Sequence, residues 1–417
     1  MFILLAAALV STVIASFAPF SVELYLGLSG AFLFGYAICM IALKGQRPMW
    51  LTCVLLLAVC ASVALTLVLL IGKVLGTVVF IQALNLCVIA AECVASFAKK
   101  EQLRALSCVL AVVSVLFFAF GAFFHIAYGR SVMSTVAEWV LASGKVTDEK
   151  VPGEFEKLIR AGEASYTADP SIFDKPLKEE TFEDISVLYL NADSDYDRIV
   201  FYIHGGYYVY QPGVEQMVTM NRIANETGAM IVMPIYRLAP FTTAEKGHET
   251  MAALYKKVCS ENEGKKIVLM GDSAGGGYSL ALAEGLKDRG LKQPDELILL
   301  SPWVDVTMSN PDMADYYDPM LTVTMGKMSG EAWAGDLSVD DPLVSPIYGD
   351  LSELKNVTIF VGDRELFYPD DTLLYEKLKN NENVTLHIGK GQNHVYPVYP
   401  TLEGRIAVEQ IIDIIER

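Results

Sequence analysis

Charge is nearly missing from the first third of this 417-residue chain. Up to Gly129 the charged residues are Glu23, Lys44, Arg47, Lys73, Glu92, Lys99, Lys100, Glu101 and Arg104, which leaves uncharged stretches at 1–22, 24–43, 48–72, 74–91 and 105–129. A helix needs about 18–20 apolar residues to cross the hydrocarbon core of a bilayer. Most of these stretches reach that length, the fourth only by passing Glu92. They predict an α-helical transmembrane domain of about five spans over residues 1–129 and exclude a single soluble domain. Basic residues are scarce in the remainder. Of 32 Lys/Arg and 49 Asp/Glu, the first 129 residues hold six and three, leaving 26 basic against 46 acidic residues from 130 onward. So acidic a segment repels nucleic acid and anionic lipid surfaces, so neither is an expected partner. Cysteine is scarce as well. Six of seven (Cys39, Cys53, Cys60, Cys87, Cys93 and Cys108) lie in the apolar part and Cys259 stands alone. That excludes a disulfide framework, and with no CxxC or Cys/His spacing no metal or cofactor is expected.

The few charges of the apolar part set a topology. Lys44 and Arg47 sit between spans two and three, and Lys99, Lys100 and Arg104 between spans four and five. Basic loops stay in the cytoplasm, which puts Arg130 onward outside the cell membrane; Lys73, in the opposite loop, argues the other way. The first stretch lacks a positively charged start, and its small-x-small site Ser16-Phe17-Ala18 runs into Pro19, so it is expected to remain as a helix instead of being cleaved. Gln82, Asn85, Glu92 and His125 are the polar groups at membrane depth, read as hydrogen-bonding neighbouring helices.

Residues 130–184 read as a connector. Val132 to Leu141 is weakly amphipathic, Phe155 to Arg160 is a short helix, and Asp169-Pro170 and Lys175-Pro176 break the chain. From 185 to 417, apolar runs at Ile185–Leu190, Ile199–Ile203, Met230–Pro234, Ile267–Met270, Glu296–Leu300, Val357–Val361 and Val384–Ile388 alternate with helical patterns at Val214–Thr227, Ala244–Ser260, Tyr278–Arg289 and Leu402–Ile415. Strands separated by helices of this size predict an α/β domain with a mostly parallel sheet covered on both faces.

One turn in that domain carries chemistry. The run Ile267-Val-Leu-Met270 stops at Gly271-Asp272-Ser273-Ala274-Gly275, and a helical pattern starts at once. Strand, G-x-S-x-G turn and helix form a nucleophile elbow, in which Gly271 and Gly275 are needed because a Cβ would collide with the neighbouring strand and helix. An attacking serine needs a base, an acid that orients the base, and donors for the oxyanion. Ile199–Ile203 runs into His204-Gly205-Gly206-Tyr207, whose small residues leave backbone N–H groups open to a substrate oxygen. Of five histidines, His394 alone lies in a loop just after a late strand, in Lys390-Gly-Gln-Asn-His394. The acid belongs in Gly362-Asp-Arg-Glu-Leu-Phe-Tyr-Pro-Asp-Asp371, where Asp363, Glu365, Asp370 and Asp371 compete.

Five motifs in order, His204-Gly-Gly206, Tyr236-Arg-Leu-Ala-Pro240, Gly271-Asp-Ser-Ala-Gly-Gly276, Ser301-Pro-Trp303-Val-Asp305 and Gly391-Gln-Asn-His394, make residues 150–417 resemble the hormone-sensitive-lipase-like branch of the α/β-hydrolase esterases. The resemblance implies an α/β-hydrolase fold preceded by the helical membrane part, and a serine carboxylesterase acting on short-chain or acetyl esters of small molecules, lipids or glycans. It makes Ser273 the nucleophile and His394 the base, and gives the oxyanion to the amides of Gly205, Gly206 and Ala274, with Tyr207 N–H standing where the family has a third glycine. The family's acid lies three residues after the strand-ending glycine, which selects Glu365, in place of the family's Asp. By the same resemblance Asp272 braces the elbow, Tyr236 and Arg237 position the neighbouring loop, and residues 150–184 cap the site. Acyl transfer to an envelope glycan or lipid, or ligand binding without turnover, are the competing readings.

Overall fold

The computed structural model describes residues 129–161 and 166–417. The chain divides between Val132 and Met133, and the unit Met133–Arg417 holds every described strand. The five expected spans, their topology and the polar groups Gln82, Asn85, Glu92 and His125 lie outside the described residues. Among the described residues no helix is long and apolar enough to cross a membrane.

Eight strands form one sheet: β1 (Lys178–Phe182), β2 (Ile185–Leu190), β3 (Arg198–Ile203), β4 (Met230–Ile235), β5 (Lys266–Asp272), β6 (Glu296–Leu300), β7 (Val357–Gly362) and β8 (Val384–Gly389). Their order is β1-β2-β4-β3-β5-β6-β7-β8, with β1 and β2 antiparallel to their neighbours and β3 to β8 parallel. Strands β3, β5 and β6 bury every residue after the first, and β4 and β7 bury all of theirs. A parallel sheet shielded on both faces requires such unbroken apolar runs. The eighth strand, β1, lies within the expected connector: its Lys178-Glu-Glu-Thr-Phe182 pairs with β2 from Lys178↔Tyr189 to Phe182↔Ile185. An edge strand needs no apolar alternation and is protected from further pairing by charge, so this segment lacks the usual sequence signature.

The helices are α1 (Val132–Gly144), α2 (Val151–Ala161), α3 (Val214–Thr227), α4 (Ala244–Glu261), α5 (Ala274–Leu286), α6 (Val323–Ala334), α7 (Tyr368–Leu378) and α8 (Leu402–Glu416). Side chains alternate across each strand, so Ile199, Phe201, Leu269 and Leu299 join one core with Leu254 of α4 and Leu280 of α5. Val200, Met270 and Ile298 join the other with Met220 of α3 and Ile411 of α8. The two apolar layers clamp the sheet, leaving the carboxyl ends of the parallel strands free to carry loops, where open α/β sheets place their ligands.

Candidate active site

Five of those strand ends converge. β5 hands directly to α5 through Ser273, whose φ of 52° and ψ of −123° are costly for a residue with a Cβ, by about 1–3 kcal/mol. Hydrogen bonds hold it there: Ser273 N donates to Leu300 O (2.8 Å), and Ser273 O accepts from Gly276 N (2.9 Å) and Trp303 N (2.8 Å). The glycines are sterically required. A Cβ on Gly271 would lie 2.2 Å from Gly275 O, and one on Gly275 would lie 2.1 Å from Ile203 O. Three successive glycines in the first turn of α5 cost about 1 kcal/mol each relative to alanine. Burial of Leu280, Leu282 and Leu286 at about 1.5–3 kcal/mol each outweighs that cost.

His394, in the loop after β8, places Nε2 2.8 Å from Ser273 Oγ. Its Nδ1 pairs with Glu365 Oε2, and both residues are fully buried. The other oxygen, Oε1, accepts from Gly362 N (2.6 Å) and Ser301 Oγ (2.8 Å), so the carboxylate is fixed on both sides. The competing acids are elsewhere. Asp363 accepts from Gly391 N (2.6 Å) and shapes the histidine loop, and Asp370 accepts from Asn310 Nδ2 (2.6 Å). Asp371 is buried, with neither carboxyl oxygen hydrogen-bonded among the described residues.

The electrostatics single out the same imidazole. Burial pushes His204 down to about 4 and His248 to about 3, and it lowers His387 as well. Burial also acts to lower His394, but the adjoining Glu365 carboxylate outweighs it and the net shift is upward. His394 is thus the one described histidine whose protonated form is favoured by its surroundings, which is what a base that must carry a proton during the reaction requires.

The loop after β3 faces Ser273 from the other side. The N–H groups of Gly206, Tyr207 and Ala274 make no hydrogen bond among the described residues. Gly205 departs from the expectation: its N–H donates to Asp272 Oδ1 (2.9 Å) and is not available to an oxyanion. The reason is packing, since Gly205 lies so close to the elbow that a Cβ would meet Asp272 Oδ2 at 2.5 Å and Ser273 Cβ at 2.9 Å. Asp272 also accepts from Tyr202 O–H and from Gln216 Nε2 (2.8 Å), so it ties β3, α3 and the glycine loop to the elbow. Burial nevertheless raises its carboxyl above the ordinary range. His204 stacks on Tyr236 (4.2 Å between rings), and Tyr236 O–H donates to His204 O (3.0 Å). His204 therefore holds the loop, and Arg237 pairs with Asp184 (3.2 Å). Tyr207 and Tyr208 both adopt positive φ, 55° and 64°. Their rings anchor that strained turn: Tyr208 stacks on Trp333 (4.4 Å) and Tyr207 meets Trp303 edge-on (5.3 Å).

A cavity of about 500 Å³ opens over Ser273 and His394, walled by Val140, Leu141, Tyr207, Met320, Leu321 and Met325 among others. Its walls are mostly apolar. A larger opening, about 930 Å³ around Lys256, Lys265 and Asp295, lies at the opposite ends of the strands and holds none of this chemistry. Two supporting residues have no role assigned from the sequence, although Ser301 opens one of the five motifs. Ser301, at the end of β6, donates to Glu365 and accepts from Val395 N (3.0 Å), joining the acid to the histidine loop. A serine closing a buried strand was the available signal. Asp318 accepts from Met320 N (2.8 Å), Leu321 N (2.7 Å) and Leu366 N (3.0 Å), and its irregular surroundings give no pattern to read.

A family model described as alpha/beta hydrolase fold matches residues 200–398. With the mostly parallel sheet and the serine at the β5–α5 elbow, that decides the architecture. The fold is that of the α/β hydrolases. The chain is 30% identical over 193 residues to a triacylglycerol lipase of Mycobacterium tuberculosis, covering 46% of this chain and 40% of that protein. It is 26% identical over 192 residues to an esterase of Acinetobacter venetianus, covering 45% and 63%. The chain thus spans about half the length of these curated relatives. A solved hormone-sensitive-lipase homologue from a metagenome library superposes with a TM-score of 0.57 at 28% identity, over 68% of this chain and 97% of that one.

Proposed function

We propose that this α/β-hydrolase domain is a serine carboxylester hydrolase that cleaves short-chain or acetyl esters through an acyl-serine intermediate. The observation that carries the reading is the buried line from Ser273 Oγ through His394 to Glu365, facing three free N–H groups. In the forward step His394 Nε2 takes the Ser273 proton as Oγ bonds to the ester carbonyl. The carbonyl oxygen gains negative charge beside the N–H groups of Gly206, Tyr207 and Ala274, and Glu365 stabilises the imidazolium. His394 then returns the proton to the departing alcohol, and water repeats the sequence to free the acid and the serine. The mostly apolar cavity of about 500 Å³ is of a size that admits an apolar acyl group.

The uncharged stretches of residues 1–129 support reading them as a multi-span membrane anchor, and the basic loops support a catalytic domain outside the cytoplasm. The substrate is then an ester met at the cell envelope. Two experiments test this. Purified full-length chain and its Ser273→Ala variant are compared on p-nitrophenyl esters of increasing acyl length: serine-dependent turnover that falls beyond short chains is expected, and equal turnover by both proteins excludes the mechanism. Protease added to intact cells should remove the catalytic domain; full protection reverses the topology.

A further inference from the structure

Helix α1 reaches the catalytic loops along a single stripe. Ser134, Glu138 and Leu141 follow one another at i, i+4 and i+7, the spacing of one helical face, and Lys145 comes directly after the helix ends. Ser134 Oγ lies within hydrogen-bond distance of Gln392 Oε1 (2.9 Å), two residues before His394, and of Glu403 Oε2 (2.8 Å). Glu138 accepts from Arg364 twice, Nε at 3.1 Å and Nη2 at 3.2 Å, and Arg364 immediately precedes Glu365. Leu141 lines the cavity over Ser273. Lys145 Nζ donates to Asp318 O (2.7 Å), and the carboxylate of Asp318 accepts from Leu366 N on the other side of Glu365. The loops so held are also tied to each other, since Arg364 N donates to Gln392 O (3.0 Å).

We propose that α1 is a strap that positions the Glu365–His394 pair, with Glu138 and Arg364 as positioning residues acting through the bidentate ion pair between them. The inference rests on the serine hydrolase reading above. A planar fork on a carboxylate fixes orientation as well as distance, which a single point contact does not. The Glu138 side chain is 9% exposed, against 56% for Glu261 in the Lys257–Glu261 pair, while the two cations are equally exposed at 37%, so solvent screens the α1 contact less on its carboxylate side. Because the contact lies next to the acid in sequence and beside the base in space, its loss moves the pair that must transfer the proton. It leaves the oxyanion donors and most of the cavity wall in place. A misplacement of 1 Å costs on the order of 100-fold in rate, and a partial shift proportionately less.

The test uses full-length protein carrying Arg364→Gln, Glu138→Gln or both, with Lys257→Gln as a surface-pair control, assayed on a short p-nitrophenyl ester. Each single substitution is expected to lower kcat by about tenfold with KM within about twofold. The double variant should be no slower than the slower single, because both changes remove one interaction. Arg364→Lys keeps the charge without the fork and should recover only part of the loss. Unchanged kcat in folded single variants, or losses that multiply in the double, overturns the strap. If Arg364→Gln does not fold, Ser134→Ala and Arg364→Lys are read instead, and either kcat falls with KM held or the strap is wrong. Wild-type protein that turns over no ester and takes no fluorophosphonate at Ser273 would instead remove the hydrolase reading itself.

Discussion

Replacing Glu365 by glutamine separates the acid from its neighbours with one atom changed. Oε1 of Glu365 accepts from both Gly362 N and Ser301 Oγ, so only an oxygen is tolerated on that side. The new amide must therefore turn its NH2 toward His394 Nδ1, which has to become an acceptor. The imidazole proton then moves to Nε2, facing Ser273 Oγ, and that nitrogen can no longer take the serine proton. A triad histidine held in the wrong tautomer loses about 10⁴-fold in kcat, or about 5 kcal/mol. Asp363→Asn is the matched control. Its side-chain oxygen still accepts from Gly391 N, so a loss within about threefold is expected for one weakened hydrogen bond. Steady-state kinetics on a short ester, with circular dichroism to show that both variants fold, reads the difference. Glu365→Gln activity within tenfold of wild type, or a larger loss from Asp363→Asn, refutes the reasoning.

Three further outcomes follow from the same contacts. His394 must be neutral to accept the serine proton and its pKa is raised, so kcat/KM should fall on the acid side about a midpoint above the ordinary histidine value of 6.5; a midpoint below it contradicts the Glu365 pairing. Burial raises Asp371 well above 3.8, so the fold binds its proton more tightly than the unfolded chain does, and stability is lost as pH rises through that window. Asp371→Asn should accordingly raise Tm by a few degrees at pH 8 and by little at pH 4, as read by differential scanning fluorimetry. Tyr207→Gly relieves a left-handed backbone and removes a ring from the cavity wall, so the preferred acyl chain should lengthen in the ester panel, while the donor N–H at that position is kept.

The sequence made the sheet legible where strands are buried on both faces. Ile199–Ile203 and Ile267–Met270 have no other use for so many adjacent apolar residues. It was silent on β1, whose Lys178-Glu-Glu-Thr-Phe182 gains its strand conformation from pairing with β2 and not from burial. Ser273 and His394 stood out because a G-x-S-x-G turn between strand and helix and a histidine after the last strand are local patterns. Glu365 stood out only through the resemblance: four carboxylates share its loop, the family's spacing of three residues after the strand-ending glycine selected it, and the fold places it against Nδ1. The role of Gly205 was hidden for a related reason: whether its N–H faces a substrate or Asp272 depends on how closely β3 and β5 pack. Ser301 and Asp318 connect loops that are distant along the chain, and such ties leave little trace in the segments they join.

The central claim is that Ser273 is the nucleophile, and covalent labelling tests it most directly. Full-length wild type and Ser273→Ala are incubated with a fluorophosphonate, and intact mass is followed beside ester turnover. One adduct is expected on wild type, mapped to Ser273 and rising in step with lost activity, with none on the variant. Ester turnover that persists in Ser273→Ala, or an adduct that maps elsewhere while activity falls, contradicts it.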